Sequence, residues 1–345
     1  MADANVPSTM KAWQWTACPE TLEKALFIND SADLPTAKKP LGADEVLVKV
    51  HYAALNPVDY KLPELPVVGR MAIPKPATPG LDFSGVVVQR GPESTLQIGQ
   101  KVFGKVEPKQ PHGTLADFIV GSKEGTVPVP EGVSLEDAAC VGVCGLVTYQ
   151  CLKAQNIKAG DKVFMNGGSG GAGTFAIQIA KALGAEVTTT CSTGNIELCK
   201  RLGADTVIDY TSKNETAIEA LKNSGVKYDM VLDNVGYPPE LYWETPHFTK
   251  DSAVYTQIGT QVSLPFIWDL AFRFLLPTWL GGGQRKFGFS LTKTNAEDYA
   301  QLAKWMGEGK LKSEIEKVYR WEDVPDAFVR CKSGRVKGKL VVKVN

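Results

Sequence analysis

A glycine-rich segment in the middle of the chain, NGGSGGAG at 166–173, constrains the fold more than any other feature. It follows an apolar run typical of a strand, KVFMN, and precedes TFAIQIAKALG, which has the apolar spacing of a helix. Gly168, Gly170 and Gly173 fit the G-x-G-x-x-G pattern, in which the missing side chains let the backbone turn tightly and approach a pyrophosphate. Glycines also cluster in ordinary loops, but a strand before them and a helix after them favour a dinucleotide-binding turn.

The rest of the chain divides into two kinds of sequence. Up to about residue 133, short β-rich runs are interrupted by Pro and Gly, which predicts a small antiparallel or barrel-like domain. After residue 135, strand-like and helix-like segments alternate, which predicts βαβ units and a doubly wound parallel sheet covered by helices on both faces. The closing run GRVKGKLVVKVN is β-like again, and we expect it to rejoin the first domain.

The residues after the second strand of the α/β region indicate which dinucleotide is bound. NAD sites usually place an Asp or Glu about 20 residues beyond the glycines, where it holds the ribose 2′-hydroxyl. This strand ends without an acid and is followed by Ser192, Thr193 and Asn195, with Lys200 and Arg201 one turn further along. The alternative is that Ser192 and Thr193 only cap the next helix. Both roles are compatible, and the missing acid favours NADPH.

Composition and charge exclude several other classes of protein. Lys and Arg number 38, and so do Asp and Glu, so the formal net charge is zero and no basic surface for nucleic acid is predicted. The seven cysteines are an odd number without a regular framework, which favours a reduced compartment. The first residues lack a secretory or transit pattern. We therefore expect a cytoplasmic protein with no nucleic-acid partner.

One apolar stretch, at 262–280, is long enough to suggest a membrane. Asp269, Arg273 and two prolines make a spanning helix of about 20 residues unfavourable. The two charged residues lie four positions apart, as in a helical ion pair. The stretch is therefore predicted to be a buried amphipathic segment beside an apolar substrate pocket, and the alternatives are a dimer contact or a lipid-facing surface.

Six further motifs, taken with the glycine segment, make the chain resemble the quinone oxidoreductases of the medium-chain dehydrogenase/reductase superfamily. They occur in the family's order and spacing over nearly the whole chain. They are LNPVDYK at 55–61, PGLDFSGVV at 79–87, GDKV at 160–163, LGADTVIDY at 202–210, DNVG at 233–236 and GKLVV at 338–342. The combination is similar to the fungal quinone-oxidoreductase-like and trans-acting enoyl reductase group.

The resemblance implies a Rossmann domain inserted in a β-rich, GroES-like catalytic domain. On that basis we expect residues 1–133 and 312–345 to form the GroES-like domain and 134–311 to form the Rossmann NADPH-binding domain. The residues expected to hold the pyrophosphate are Gly168, Ser169, Gly170, Gly171, Ala172 and Gly173. Those expected around the adenosine 2′-phosphate are Ser192, Thr193, Asn195 and Tyr210, and those beside the nicotinamide are Val235, Ile258 and Gly259. Ile196 stands where many relatives have a phosphate-binding lysine.

The same resemblance argues against a metal. Zinc-bearing dehydrogenases of the superfamily have a G-H-E triplet where this chain reads GLD at 80–82. Their first cysteine ligand corresponds to the NPVD loop, where Asn56 and Pro57 stand. Neither leucine nor proline can bind zinc, and the four-cysteine structural lobe is missing as well. We therefore expect no metal and no chemistry through a zinc alkoxide.

The expected reaction needs a hydrogen-bond donor. Hydride transfer from NADPH to the β-carbon of an unsaturated carbonyl compound leaves an enolate, whose oxygen needs that donor and whose α-carbon needs a proton. Lys61 is the main candidate, because related fungal enoyl reductases are similar in having a lysine after the N-P-x-D loop. Tyr60 and Asn56 are secondary candidates by their position in that loop. The alternatives are that Lys61 is an ordinary solvated lysine and that water supplies the proton.

These expectations combine into one predicted function and two alternatives. The prediction is an NADPH-dependent, zinc-independent oxidoreductase that reduces an apolar enone, enoyl compound or quinone, as a monomer or homodimer. The first alternative is a non-catalytic NADPH-binding protein with a structural or lipid-surface role. The second is a trans-acting enoyl reductase that works with a polyketide synthase, which differs in the partner rather than in the chemistry.

Overall fold

The computed structural model describes residues 6–37, 39–65, 71–259, 268–270, 272–273, 276, 280, 282–290 and 292–345. The chain forms two compact units. The first unit is Met1–Leu146 together with Lys293–Asn345, and the second unit is Val147–Thr292. The boundaries expected from the sequence, at 133/134 and 311/312, remain predictions.

The first unit contains two sheets. A two-stranded antiparallel sheet pairs β1 (Thr9–Gln14) with β2 (Phe27–Asp33). The larger sheet has seven strands, which are β3 (Val46–Leu55), β4 (Asp82–Arg90), β5 (Lys101–Lys105), β6 (Phe118–Gly121), β7 (Thr126–Pro128), β14 (Ile315–Tyr319) and β15 (Lys339–Lys343). Their order is β14-β15-β3-β4-β5-β7, and β6 also pairs with β3.

Strand β3 is the centre of the seven-stranded sheet. One edge pairs with β4, and the other edge is shared between β6 and β15. Its side chains alternate, so that Val46, Val48 and Val50 enter one apolar core. After a register shift beyond Val50, Ala53 and Leu55 enter a second core. The pairing of β15 with β3 confirms that the closing run of the chain rejoins the first part of the sequence.

Within the described residues, five α-helices lie wholly in the first unit. They are α1 (Leu22–Ala25), α2 (Pro57–Glu64), α3 (Leu135–Ala139), α10 (Ala296–Gly307) and α11 (Val324–Lys332). The division between the units falls inside α4 (Gly142–Ala154). Helix α11 buries Phe328 in the core that also receives Leu55, so the last part of the unit packs on the end of β3 where α2 begins.

The second unit is a six-stranded parallel sheet with helices between its strands. The strands are β8 (Lys162–Asn166), β9 (Glu186–Cys191), β10 (Thr206–Asp209), β11 (Tyr228–Asp233), β12 (Thr249–Gln257) and β13 (Lys286–Phe289). The helices between these strands, as far as the structure describes their bounds, include α5 (Gly171–Ala182), α6 (Ile196–Arg201), α7 (Ala217–Asn223), α8 (Glu240–Trp243) and α9 (Thr245–Phe248).

The strand order of the second unit is β10-β9-β8-β11-β12-β13, with every pair parallel. This is the 3-2-1-4-5-6 order of a doubly wound Rossmann sheet, and it confirms the predicted fold class. The strands β9 and β10 lie on one side of β8, and the strands β11, β12 and β13 lie on the other side. The order in which strands are added to the sheet therefore reverses between β8 and β11. Ligands of such sheets bind at the carboxyl ends of the strands beside that switch point, which is where the glycine-rich segment follows β8.

Candidate functional site

The glycine-rich segment forms the turn between β8 and α5. Gly167 has a φ of +82°, in the left-handed region that side chains disfavour. Two hydrogen bonds hold the turn against β9. The Gly167 N–H donates to Thr190 Oγ1 at 2.9 Å, and the Gly168 N–H donates to the Thr190 carbonyl at 2.8 Å. A Cβ on Gly168 would lie 2.3 Å from Thr189 Oγ1, so glycine is needed there for the turn to lie this close to β9.

The other two motif glycines have different roles. A Cβ on Gly173 would lie 2.1 Å from the Gly167 carbonyl oxygen, so its absence lets the first turn of α5 pack on the loop. A Cβ on Gly170 would meet no atom within 4 Å. The protein itself therefore leaves space in front of Gly170, at the N-terminus of α5, where a pyrophosphate fits.

The polar groups around this turn fit a dinucleotide. Gly170 precedes the first residue of α5, so the N–H groups of 171–173 have no acceptor within the helix. Among the described residues, Asn195 Oδ1 and both polar atoms of the Asn234 side chain are buried without a hydrogen-bond partner. Because buried polar atoms normally have partners, a ligand with donors and acceptors would complete these groups.

The structure brings together three residues expected at the cofactor. Asn195 Nδ2 donates to Ser169 Oγ at 3.1 Å and to Ser192 Oγ at 3.3 Å. Ser192 precedes a short 3-10 helix but makes no side-chain capping hydrogen bond, so capping does not explain this residue. Tyr210 is placed beside them by its backbone N–H, which donates to the Cys191 carbonyl at 3.1 Å, and its side chain is exposed. These residues follow three neighbouring strands, β8, β9 and β10.

Thr193 contacts a carboxylate that the sequence analysis missed. Its hydroxyl donates to Asp209 Oδ2 at 2.5 Å. Hydrogen bonds from Thr193 and then Thr211 lower the pKa of Asp209, which is therefore ionised near neutral pH. Asp209 ends β10 and pairs in register with Cys191, which ends β9. The usual pattern of NAD sites points to the end of β9, whereas this acid stands at the end of the adjacent parallel strand, within the motif LGADTVIDY.

The residues expected beside the nicotinamide also lie together, at the ends of β11 and β12. The N–H groups of Ile258 and Gly259 both donate to the Asp233 carbonyl, at 2.8 and 3.3 Å. The Val235 N–H donates to Asp233 Oδ1 at 3.0 Å, and its side chain is 41% exposed. A Cβ on Gly259 would lie 1.9 Å from the Asn234 carbonyl oxygen, so only glycine allows the two strand ends to approach this closely.

Asp233 organises this end of the sheet. Its Oδ1 accepts hydrogen bonds from Asn166 Nδ2 at 2.9 Å and from the N–H groups of Val235 and Gly236, and its Oδ2 accepts the Tyr255 hydroxyl at 2.5 Å. Asn166 ends β8 directly before the glycine turn. Asp233 therefore links the glycine turn to the residues expected beside the nicotinamide. Asp233 belongs to the motif DNVG, but this role could not be predicted from the motif, because its side-chain partners are up to 67 residues away.

The candidate catalytic residues lie in the first unit, at the start of α2. Asn56 is the N-cap of the helix, and its N–H donates to Asp59 Oδ2 at 2.7 Å. Pro57 occupies the first helical position, where its fixed φ suits the helix. Tyr60 and Lys61 follow on the same helix, and both are partly buried. The hydrogen bond between the N-cap residue Asn56 and Asp59 thus fixes the start of α2, and with it the backbone positions of Tyr60 and Lys61.

Burial acts in opposite directions on the two candidate donors. It lowers the pKa of the Lys61 ammonium below the ordinary lysine value, and the nearby Cys331 opposes this only in part. It raises the pKa of the Tyr60 phenol to about 12, and the Lys332 ammonium lies 5.2 Å from the Tyr60 ring centroid. Tyr60 therefore stays protonated and can donate a hydrogen bond, whereas Lys61 releases its proton more readily than an exposed lysine does.

Asn56 is placed differently from the other two candidates, because it is 1% exposed and its amide has buried partners. Its Oδ1 accepts Lys339 Nζ at 2.6 Å, and its Nδ2 donates to Asp82 Oδ2 at 2.9 Å. Asp59 is also buried, and burial, followed by the charge of Asp82, raises its pKa to about 8. The expectation that Asn56 contacts a substrate remains a prediction.

A small pocket, with a cavity volume of about 40 Å³, adjoins α2 within the first unit. Its lining includes Val58, Asp59, Leu62 and Ile73. Three of these four residues, Val58, Asp59 and Leu62, belong to α2, so the pocket borders the helix that carries Tyr60 and Lys61.

The described ranges contain neither a metal-ligand cluster nor a membrane-spanning helix. Within them, no group of three or more His, Cys, Asp or Glu side chains is placed to hold a metal ion. No helix there is both long and apolar enough to cross a bilayer. Much of the apolar stretch at 262–280 lies outside the described residues. The ion pair expected in it is present, with Arg273 Nη2 2.5 Å from Asp269 Oδ2.

The comparisons with known proteins agree with this architecture. The family model described as "Alcohol dehydrogenase GroES-like domain" matches residues 42–131, and the one described as "Zinc-binding dehydrogenase" matches 202–342. The trans-enoyl reductase pgmF of Aspergillus terreus is 45% identical over 353 aligned residues, which cover 99% of this chain and 98% of that protein. The 2-methylene-furan-3-one reductase of Solanum lycopersicum is 30% identical, over 98% of this chain and 80% of that protein.

A solved structure shares the complete fold. The quinone oxidoreductase from Coxiella burnetii matches with a TM-score of 0.80 at 30% identity, over 97% of this chain and 99% of that chain. The solved structure therefore has the fold described above, and both relatives align with nearly the whole chain. The chain belongs to the medium-chain dehydrogenase/reductase superfamily and is one of its oxidoreductases.

Proposed function

We propose that the protein is an NADPH-dependent, zinc-independent reductase of α,β-unsaturated carbonyl compounds, with quinones as further acceptors. The observation that carries the proposal is the open space in front of Gly170, at an N-terminus whose first N–H groups have no helical acceptor. The names of the relatives support the reaction class, because two of them are an enoyl reductase and an enone reductase.

The residues of the second unit would bind the cofactor as follows. The turn from Gly168 to Gly173 would hold the pyrophosphate, and Val235, Ile258 and Gly259 would border the nicotinamide ring. The preference for NADPH rests on the hydroxyl and amide groups of Ser192 and Asn195. Two features oppose it: the Asp209 carboxylate contacts Thr193, and Lys200 already pairs with Glu197 at 3.1 Å. The affinities for NADPH and NADH, measured side by side, decide between these opposing contributions.

The first unit would stabilise the charge that develops on the substrate. A bound NADPH supplies the hydride. The Lys61 ammonium and the Tyr60 hydroxyl are the donors proposed to face the developing enolate oxygen. Because its pKa is lowered by burial, Lys61 is also the better of the two as a source of the second proton.

A second candidate function is suggested by one relative. The 45% identical protein from Aspergillus terreus is named a trans-enoyl reductase, which favours an acyl substrate carried by a separate synthase. In that case the protein would reduce an enoyl thioester on its partner better than the same thioester in solution. We propose a cytoplasmic setting for either function, since all seven cysteines carry free thiols.

Consumption of NADPH and of NADH, followed with enals, enones, quinones and enoyl thioesters, tests the proposal. We expect turnover with enones and enoyl thioesters and a preference for NADPH. Gly170→Val is the matched control, because it should abolish turnover in a protein that still folds. If the wild-type protein binds NADPH but reduces none of these acceptors, the non-catalytic alternative is correct.

A further inference from the structure

Four buried polar side chains meet where α2 begins, and the proposed reaction gives none of them a direct role. We call this group the Lys339 cluster. Its members come from separate elements and are Asn56 before α2, Asp82 of β4, Cys144 of α4 and Lys339 of β15. All four are between 0% and 8% exposed. Buried charges are retained in proteins only when they are paired and hydrogen-bonded, so the arrangement calls for an explanation.

The Lys339 ammonium is the centre of the cluster. Its Nζ donates to Asn56 Oδ1 at 2.6 Å, to the Leu55 carbonyl at 3.1 Å and to Asp82 Oδ2 at 3.2 Å, and lies 3.7 Å from Cys144 Sγ. An ammonium has three protons, so the three oxygens use its full capacity. Burial acts to lower the pKa of Lys339, but Cys144 and Asp82 raise it above the ordinary lysine value, and the group is therefore charged.

These bonds converge on the junction between β3 and α2. Leu55 is the last residue of β3 and Asn56 is the N-cap of α2, so one ammonium holds two consecutive residues. Asp82 adds a second support, because its Oδ2 accepts Asn56 Nδ2 at 2.9 Å while its Oδ1 accepts the Val143 N–H at 2.7 Å. Without the ammonium, Asp82 would be a buried carboxylate that has lost the cation now beside it, and the Asn56 oxygen would lose its 2.6 Å ammonium donor.

We propose that Lys339 is a positioning residue for the candidate catalytic helix: its buried ammonium fixes the N-terminus of α2 and thereby sets the positions of Tyr60 and Lys61. It acts through Leu55 and Asn56 and does not itself contact the substrate. The effect on catalysis rests on the proposed function, but the effect on α2 does not.

The test compares Lys339→Met with Lys105→Met in the full-length protein. Lys105 is a matched control, because it is another lysine buried to 1% exposure in the same sheet, but its ammonium pairs with Glu107 at 3.2 Å rather than with Asn56 and Asp82. Hydrogen exchange measured by mass spectrometry follows peptides that cover residues 56–64, and a fluorescence titration follows NADPH binding. Steady-state kinetics with the best enone acceptor separates kcat from KM.

We expect Lys339→Met to speed exchange in 56–64 by at least about tenfold, with the second unit unchanged. Its kcat should fall by about 100-fold, as expected for misplaced catalytic groups, while KM changes less and NADPH affinity is kept. Lys105→Met should change neither exchange in 56–64 nor kcat. If the single variant does not fold, Lys339→Met with Asp82→Asn removes the uncompensated carboxylate and is measured in its place.

Two results would overturn the proposal. One is wild-type exchange in 56–64 in a folded Lys339→Met protein. The other is a loss of protection spread equally over both units, which would make Lys339 a contributor to global stability alone. Absence of reductase activity in the wild-type protein would instead reject the proposed function, and the exchange measurement would still decide the role of Lys339.

Discussion

The buried carboxyl group of Asp59 makes the stability of the protein depend on pH. Burial, followed by the charge of Asp82, raises its pKa from 3.8 to about 8. Between these two values the native state holds a proton that the unfolded chain has released, so stability falls as the pH rises through this range and becomes constant above it. We expect this group to contribute a slope of up to about 1.4 kcal/mol per pH unit.

The variant Asp59→Asn tests this slope. Its amide oxygen can still accept the Asn56 N–H, but the side chain no longer titrates, so the free energy of unfolding should vary less between about pH 5 and about pH 8. Denaturant unfolding at several pH values measures it. Asp205→Asn serves as the control, because the pKa of Asp205 is lowered rather than raised, and its loss should leave the slope in this range intact. An unchanged slope in Asp59→Asn would contradict the assignment.

Asp209 gives a second prediction at this scale, concerning cofactor choice. Its carboxylate lies 2.5 Å from the Thr193 hydroxyl, where it would repel a 2′-phosphate and could accept a hydrogen bond from a ribose hydroxyl. We expect Asp209→Asn to strengthen NADPH binding roughly three- to tenfold at low salt and to weaken NADH binding or leave it unchanged. Fluorescence titration with both dinucleotides measures this, and an equal gain for the two would show that Asp209 does not face the 2′ position.

Residues were predictable from the sequence where their partners are close in the chain. Ser169 and the glycines belong to one short motif, and their placement follows from the strand and helix on either side. Lys339 was not predictable, because its partner Asp82 is 257 residues away and only the folded sheet brings them together. Asp209 was missed for a similar reason, since its neighbour in space is the end of a different strand.

At the scale of elements, the turn between β8 and α5 separates two functions of glycine. Gly170→Val adds a side chain where the protein leaves open space and the φ of −81° suits any residue, so stability should change little while NADPH affinity falls at least about 100-fold. Gly173→Ala puts a Cβ 2.1 Å from a backbone oxygen, so it should lower the free energy of unfolding by about 1–3 kcal/mol.

Thermal unfolding and an NADPH titration of both variants distinguish these effects. Gly170→Val should match the wild-type melting temperature, whereas Gly173→Ala should melt at a lower temperature. If Gly170→Val keeps full affinity for NADPH, the pyrophosphate does not lie in front of the α5 N-terminus. If Gly170→Val melts at a much lower temperature than the wild-type protein, the valine side chain meets protein atoms, and the predicted separation of binding from stability is wrong.

The elements of the two units were predictable to different extents. In the second unit the strands and the helices α5, α6 and α7 are predictable from local periodicity, and KVFMN, for example, is β8 residue for residue. The short helices α8 and α9 were not predicted. In the first unit the strands were recognisable but their pairing was not. Strand β3 shares one edge between β6 and β15, and this division depends on partners far away in the chain rather than on local propensity.

At the scale of the whole molecule we expect no dependence on metal. Asp82 lies beside the Lys339 ammonium at 3.2 Å, and Leu81 precedes it, so a dication would meet a positive charge and an apolar side chain there. Treatment with a chelator followed by dialysis should leave the melting temperature and the reductase rate unchanged. Elemental analysis that finds about one zinc per chain after dialysis would contradict this expectation.

The position of β15 in the seven-stranded sheet has a consequence for synthesis on the ribosome. Lys339 donates a hydrogen bond to the carbonyl of Leu55, which is synthesised 284 residues earlier. At bacterial and eukaryotic elongation rates, this separation corresponds to a delay of roughly 15 to 60 s. During that interval one edge of β3 has no β15 to pair with, and Asp82 has no cation beside it. The second unit, Val147–Thr292, has by then emerged completely and can fold. The nascent chain therefore passes through a stage with an unpaired strand edge, which is the stage at which chaperones would be expected to engage it.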